Sequence, residues 1–232
     1  MTASFSSVED FNKSLSEVRI ILKRAEKSQR NRKEYDICIK SALLFLVAKF
    51  EAFLEDLISD YVQIIESKEL CPVDLPEVLK LHYADKLIND KFISELRNHK
   101  PSVLRTIMRL SKFCMGQEAV NSIDIDKSFD YGKHGQKAIN KLFSRIGIEN
   151  ILSTCTIYEM RETLTGSSRV YIDIAGDINA LTNHRNNILH SDITPSVTHQ
   201  QINTYHKHLM QFSRKAGKVL GLKLYGLHVN AA

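Results

Sequence analysis

The sequence predicts an all-α protein, a helical bundle with a long central helix and additional short helices and loops. Two observations predict this class. Apolar residues recur at helical spacing through most of the 232 residues. In addition, the stretch from about Lys33 to Leu70 contains neither glycine nor proline, and Pro72 ends it. Its middle, ALLFLVAKFEAFLEDLI, is apolar around most of a helix, so we expect it at the centre of the fold or in a subunit interface.

The first helix precedes this central one. Ser7 and Asp10 resemble a capping pair that opens it. Its apolar face contains Phe11, Leu15, Val18, Ile21 and Leu22. The helical pattern fades in a basic stretch near Lys27. We expect a single domain over 1–232 with three parts, an N-terminal helix at 5–28, a core at 33–220 and a tail at 221–232.

Shorter elements follow the central helix. Asp74 to Asn89 has an amphipathic pattern interrupted by a turn, and Pro101 suits the first position of a helix that runs through Cys114. The next stretch, GQEAVNSIDIDKSFDYGKHG, is rich in Gly, Ser and Asp, which predicts a long surface excursion with room for a short strand or turn.

The last third returns to helical spacing. The pattern resumes in QKAINKLFSRIGIENI, and TGSSRVYIDIAGD is interpreted as a second loop. A helix then ends near SDITPS, and a final long helix is predicted from Val197 to Leu220.

Composition limits the function classes. Hydrophobic residues make up 43% of the chain, enough for a substantial core. The sequence contains no run of about 18 uncharged apolar residues, and its start, MTASFSSVEDFNK, lacks the features of a secretory signal. We therefore expect a cytoplasmic protein without membrane association. The four cysteines lie far apart without a CxxC pair, which favours reduced thiols over disulfides or a zinc site.

The formal charge of +5 permits a polyanionic partner without requiring one. Two local clusters are stronger indications. One is KRAEKSQRNRK at 23–33. The other lies near the end of the chain and contains Lys207, Arg214, Lys215, Lys218 and Lys223. Each cluster is either a solvated helix end or a surface that contacts phosphates.

Several motifs are better explained without chemistry. GKHGQK at 132–137 lacks the spacing of a phosphate-binding loop. Glu51 and Glu55 are four residues apart on the central helix, where an intrahelical partner or surface charge is the simpler interpretation. The final helix contains three histidines without HExxH spacing, which makes a metal site there a distant alternative. They are His199, His206 and His208.

The most informative stretch is LTNHRNNILHSD, from Leu181 to Asp192. An apolar seam leads into it, formed by Ile174, Ile178, Leu181 and Ile188. Arg185 falls at the next step of that seam. Because burial of an unpaired charge costs several kcal/mol, this arginine needs a partner or a wet cleft.

Two further polar residues lie close to Arg185. Asn186 and His190 are an i, i+4 pair on nearly one face, so the amide can orient the imidazole. Arg185 is five residues from His190 and points elsewhere on an ideal helix, so the two converge only if the helix loosens at its end or a second chain supplies one of them. Histidine moves protons near neutral pH, and arginine is a natural clamp for phosphate. An arginine on a seam can equally form a structural ion pair.

These residues resemble a known family. RNNILH matches the RxxxxH signature, in its RNxxxH form, of the HEPN superfamily, whose members are small all-α proteins and frequently metal-independent endoribonucleases. LVAKFEAFLEDLISDYV looks like the early helix of the RiboL-PSP/MAE-like branch, and AINKLFSRIGI resembles the segment before its motif helix. The resemblance covers about residues 35 to 220 and implies a HEPN-like bundle.

The resemblance also implies a function. Arg185 and His190 would be the catalytic pair, with Asn186 orienting them, and RNA would be cut by its own 2′-hydroxyl without a metal or cofactor. Lys207, Arg214, Lys215 and Lys218 are the candidate RNA-binding residues. The family implies a homodimer, with an antitoxin or a partner from an antiviral defence system.

Two points bear against the full assignment. Members that are silenced by nucleotide addition carry a tyrosine two residues after the histidine, where this chain has Asp192. This departure argues against that form of regulation. The alternative function is a non-catalytic HEPN-like helical dimer that binds a protein partner or nucleic acid.

Overall fold

The computed structural model describes residues 4–68, 72–116, 123, 125–129, 135–163 and 166–230. Its helices are α1 (Ser6–Lys27), α2 (Arg32–Ser67), α3 (Glu77–Leu87), α4 (Asp90–Arg97), α5 (Ser102–Cys114), α6 (Gln136–Ser144), α7 (Ile151–Thr154), α8 (Ile174–Ser191) and α9 (His199–Asn230). A 3-10 turn covers Pro72–Asp74, and the strands are β1 (Ile157–Thr163) and β2 (Gly166–Ile172). The predicted all-α bundle is confirmed.

Helices α1 and α2 form an antiparallel hairpin. The rings of Phe11 and Phe53 stack with their centroids 4.6 Å apart, and Lys49 forms an ion pair with Glu17 at 2.8 Å. The predicted capping pair of Ser7 and Asp10 is wrong. Phe5 is the N-cap residue and makes no side-chain cap.

Helix α2 supplies the missing cap. The backbone N–H of Ser7 donates to Oδ2 of Asp60 at 2.8 Å. One of the amides left open at the start of α1 is thus satisfied by a carboxylate from the neighbouring helix, which also stabilises the positive end of the α1 dipole.

Helices α8 and α9 complete a four-helix bundle with the α1–α2 hairpin. Helix α9 runs parallel to α2, because Tyr35 lies beside His199 and Phe50 lies beside Phe212. Helix α8 runs antiparallel to both, since its end, at Asp192, contacts Lys40 near the start of α2. As predicted, α2 is central, and it buries residues that face α1, α8 and α9.

The segment between α2 and α6 packs on the side of this bundle. Pro101 is the N-cap residue of α5, one position before the helix and not its first residue as predicted, while α4 has no buried residue. Carboxylates of α2 hold the following loop, since Glu66 accepts from the N–H of Ile123 at 2.6 Å and Glu55 accepts from the N–H of Phe129 at 2.5 Å. Most of the predicted surface excursion, including the centre of GKHGQK, lies outside the described residues.

Two predictions in the last third need correction. The segment predicted as a loop at TGSSRVYIDIAGD contains β2, which pairs antiparallel with β1 in the register Ile157 to Ile172. The final helix does not stop at Leu220 but continues to Asn230, because Leu224 adds another buried turn and is 1% exposed. Among the described residues, no helix is both long and apolar enough to cross a membrane.

Candidate active site

Helix α8 begins as a well-packed helix. The Asp173 carboxylate caps it by accepting from the N–H of Gly176 at 3.0 Å. The predicted apolar seam is buried as expected, at Ile174, Ile178, Leu181 and Ile188. The seam fixes the rotation of the helix against α2 and therefore the direction in which the motif residues point.

The helix ends at Ser191, one residue after His190, as the sequence predicts. Asp192 adopts a left-handed backbone conformation with φ of 50°. Its N–H donates to the carbonyl of Ile188 at 3.1 Å, and the N–H of Ile193 donates to that of Asn187 at 3.3 Å. This pattern closes a helix C-terminus and leaves His190 in the last turn.

Lys40 of α2 holds this end of α8 in place. Its Nζ donates to Oδ1 of Asp192 at 2.6 Å and to the Asp192 carbonyl at 2.8 Å. Sequence reasoning missed Lys40 as part of the site because its partner lies 152 residues away. The available signal was a lysine within an otherwise apolar stretch of the central helix.

Arg185 is half-buried at the predicted step of the seam. Its Nη1 donates to Oδ1 of Asn186 at 3.2 Å. His190 is exposed, and a spacing of five residues turns it about 140° away from Arg185 around an ideal helix. Within one chain, α8 therefore presents a held guanidinium and an accessible imidazole in different directions.

A comparison with protein families identifies the family of the whole chain. A model of the RiboL-PSP-HEPN family matches residues 9–220. The chain belongs to that HEPN family. No curated protein and no solved structure shows significant similarity to it.

The predicted RNA-binding residues of this HEPN chain lie far from its motif. Lys207, Arg214, Lys215 and Lys218 are all exposed on α9. However, His208 contacts Asp177 near the start of α8, about 20 Å along that helix from His190. Arg214 lies about 9 Å farther in the same direction. The structure does not bring these residues to the motif, and RNA binding by them stays a prediction.

Three histidines of α9, the ones that the sequence analysis considered, have separate partners. His199 Nδ1 lies 3.4 Å from the Tyr35 hydroxyl, His206 Nε2 donates to the carbonyl of Leu15 at 3.2 Å, and His208 Nδ1 lies 2.5 Å from Oδ2 of Asp177. Burial lowers the pKa of His206. Within the described parts of the chain, no cluster of three His, Cys, Asp or Glu side chains could hold a metal.

Three other ionisable side chains of the HEPN domain are less exposed than His190. Glu51 is 6% exposed on α2, while Glu55, one turn later, accepts from the Phe129 amide. His184 of α8 is half-buried, and this burial lowers the pKa of its imidazole. His190 is thus the more exposed of the two histidines of α8.

Proposed function

We propose that this HEPN protein is a metal-independent endoribonuclease. The observation that supports this function best is the end of α8, where an exposed His190 follows a half-buried Arg185 that Asn186 engages at 3.2 Å. The helix presents a proton-transfer group and a positioned cation beside solvent, at a point where Lys40 fixes the backbone. These are the parts that a phosphodiester cleavage needs.

The reaction uses the RNA's own 2′-hydroxyl. The 2′-oxygen forms a bond to the adjacent phosphorus while the bond from phosphorus to the 5′-oxygen breaks. The 2′-hydroxyl loses a proton and the leaving 5′-oxygen gains one, so the products are a cyclic phosphate and a 5′-hydroxyl. His190 transfers protons, Arg185 stabilises the charge on the phosphorane, and Asn186 orients the guanidinium.

A homodimer would bring Arg185 of one chain toward His190 of the other. An apolar surface at the end of α8 supports this assembly, because Leu189 and Ile193 are each 53% exposed. Burial of such surface against a second copy is favourable, and a two-fold axis there would join both motifs in one cleft.

Cleavage of a labelled RNA with EDTA present tests the activity. We expect His190→Ala and Arg185→Ala each to lower the rate about 10²- to 10⁴-fold, the usual cost of losing an acid–base group or a charge-stabilising donor. Thermal melting of both variants is the control for folding. Cleavage by both variants at the wild-type rate would contradict the assignment of these residues.

The dimer has its own test. Leu189→Glu places a charge in the proposed interface, and light scattering should then give the mass of one chain while the wild type gives two. Asn183→Glu, at another exposed position of α8, is the matched control and should leave the mass unchanged. A monomeric wild type at working concentration would contradict the shared cleft.

The second candidate function is a non-catalytic helical dimer that binds a protein or nucleic acid. The hydrogen bond from Arg185 to Asn186 supports it, because an arginine held within its own helix can be structural. Early melting of Arg185→Ala, without a change in RNA cleavage, would favour this function. A cytoplasmic role in a toxin–antitoxin pair or in antiviral defence is part of the proposal, and the genes beside this one would test it.

A further inference from the structure

A basic surface lies where α1 turns into α2. We define the basic turn as residues 19–36, which contain seven basic and three acidic side chains. The basic ones are all exposed, at Arg19, Lys23, Arg24, Lys27, Arg30, Arg32 and Lys33. Arg24 pairs with Glu34, and Arg32 pairs with Asp36 at 3.0 Å, so the turn keeps a clear positive excess in a chain whose total charge is +5.

The basic turn occupies the same end of the bundle as the motif. Lys33 precedes Lys40 by seven residues, about 10 Å along α2, and Lys40 contacts Asp192, two residues after His190. The hydroxyl oxygen of Tyr35, within the turn, accepts a hydrogen bond from the backbone N–H of His199 at 3.2 Å. The end of α8 and the start of α9 therefore both border this surface.

Two grooves cross it and meet at the start of α9. One has a volume of 380 Å³ and is lined by Gln29, Arg32, Tyr35, Thr198, His199 and Gln200. The other has a volume of 240 Å³, and Arg19, Lys23 and the acidic Glu26 lie along it. His199 and Gln200 line both grooves, so together they form one track from α1 across the start of α9 to α2.

We propose that this track binds the backbone of single-stranded RNA and leads it toward His190. Proteins that bind single strands combine a positively charged groove with aromatic rings on which bases stack. The track has both, since the rings of Tyr35 and His199 meet edge to face at 6.1 Å and the Arg32 guanidinium lies 6.0 Å from the Tyr35 ring centroid. Unpaired bases, which a duplex would hide, can reach such rings.

This inference takes its substrate class from the proposed function, yet binding can be measured without cleavage. The background is His190→Ala, and the probe is a fluorescent single-stranded RNA of about 12 nucleotides, within the usual site size of such grooves. The test variant is Arg19→Gln with Lys23→Gln, both on the second groove, and Lys33→Gln, next to Arg32 in the chain; it spares both ion pairs of the turn. The matched control removes three exposed charges of the α4–α5 region, by Lys100→Gln, Arg105→Gln and Arg109→Gln.

We expect the test variant to bind at least about tenfold more weakly, while the control stays within about twofold. The slope of log affinity against log salt should fall by about two, because each lost phosphate contact of a single strand removes about 0.7. Equal losses in both variants would overturn the proposal. Loss only in a third set, Arg214→Gln with Lys215→Gln and Lys218→Gln, would also overturn it and locate RNA binding on α9.

The ring of Tyr35 gives a second readout. Tyr35→Leu removes the stacking surface and should weaken binding about 5- to 150-fold, the range for loss of one stacked base, whereas Tyr35→Phe keeps the ring and should bind nearly as the wild type does. Equal binding by both variants would contradict a role for the ring.

Binding of poly-glutamate tests whether the ligand of this track is RNA or an acidic protein. If poly-glutamate binds as tightly as the RNA, with the same loss in the test variant, the surface belongs to a protein partner and the proposal fails. If His190→Ala binds RNA as expected and the wild-type protein cleaves none, the proposed nuclease fails while this site stands.

Discussion

The two halves of helix α8 differ in what their side chains contact. In the first half, Ile174 and Ile178 are buried in the core, and Asp177 contacts the nearly buried His208 at 2.5 Å. In the second half, Arg185 is half-buried beside Asn186, and His190 is exposed. One continuous helix thus packs its first half into the core and presents polar groups, beside the buried Ile188, at its end.

This difference separates stability from chemistry along one helix. Burial of the first half fixes position, because a buried apolar side chain contributes roughly 1.5 to 3 kcal/mol. Polar groups in the second half avoid the cost of burial. We therefore expect substitutions in the first half to change the free energy of unfolding and substitutions at the end to change activity.

The largest expected effect on stability comes from the first half. Ile178→Ala should lower the free energy of unfolding by about 2 to 5 kcal/mol, because it removes buried methyl groups and leaves a cavity. His190→Ala should change it by less than about 0.5 kcal/mol, as surface substitutions usually do. Urea unfolding of both variants makes the measurement. Comparable losses of unfolding free energy in the two variants would contradict the proposed difference between the two halves of α8.

The carboxylate contacts at the two ends of α8 give a smaller effect. Asp177→Ala should cost about 1 to 3 kcal/mol, since it leaves the buried His208 without its partner, and Asp177→Asn should cost less. Lys40→Met should cost at most about 1 kcal/mol, because the Asp192 side chain of its ion pair is 91% exposed. Denaturation curves for the three variants check this order, and a larger loss in Lys40→Met than in Asp177→Ala would reverse it.

The smallest effect concerns pH. Burial lowers the pKa of His206 in the folded chain, and Arg19 and Lys207 lower it further. In the unfolded chain a histidine has a pKa near about 6.5, so below that pH the unfolded state binds more protons. The stability contribution is therefore present above about pH 6.5 and is lost as the pH falls.

Unfolding at about pH 7.5 and about pH 5.5 measures this loss. The wild type should lose stability over that interval, and His206→Gln, which cannot titrate there, should lose less. Other histidines keep part of the pH dependence of stability in both proteins. One of them is His184, whose pKa is also lowered by burial. Identical losses would show that His206 does not contribute.

Local pattern was enough to predict much of the helical frame. The long apolar run gave α2 to within a few residues, and the spacing from Ile174 to Ile188 identified the buried face of α8. The end of α8 was also predictable, because the polar run before Pro195 cannot continue a helix. Each of these features depends on residues that are close in sequence.

Long-range contacts explain what local pattern missed. The cap of α1 comes from Asp60, which is 53 residues from Ser7, and the clamp on Asp192 comes from Lys40. The β1–β2 hairpin was missed because β2 is exposed along most of its length. The strand therefore lacks the alternating apolar face that marks a strand in a sequence. Which basic cluster lies near His190 likewise depends on helix packing, because sequence spacing does not relate residues 23–33 to α8.

The chain order of the bundle has a consequence for synthesis on the ribosome. Helices α1 and α2 are neighbours in sequence and pack as a hairpin, while α8 must find α2 across more than a hundred residues. Contacts between distant segments form late, because the chain loses the entropy of closing a long loop before the contact stabilises it. We therefore expect a growing chain to fold its N-terminal hairpin first and to gain any cleavage activity only near completion. Stalled chains of increasing length, assayed for RNA cleavage, would reveal the chain length at which any such activity first appears.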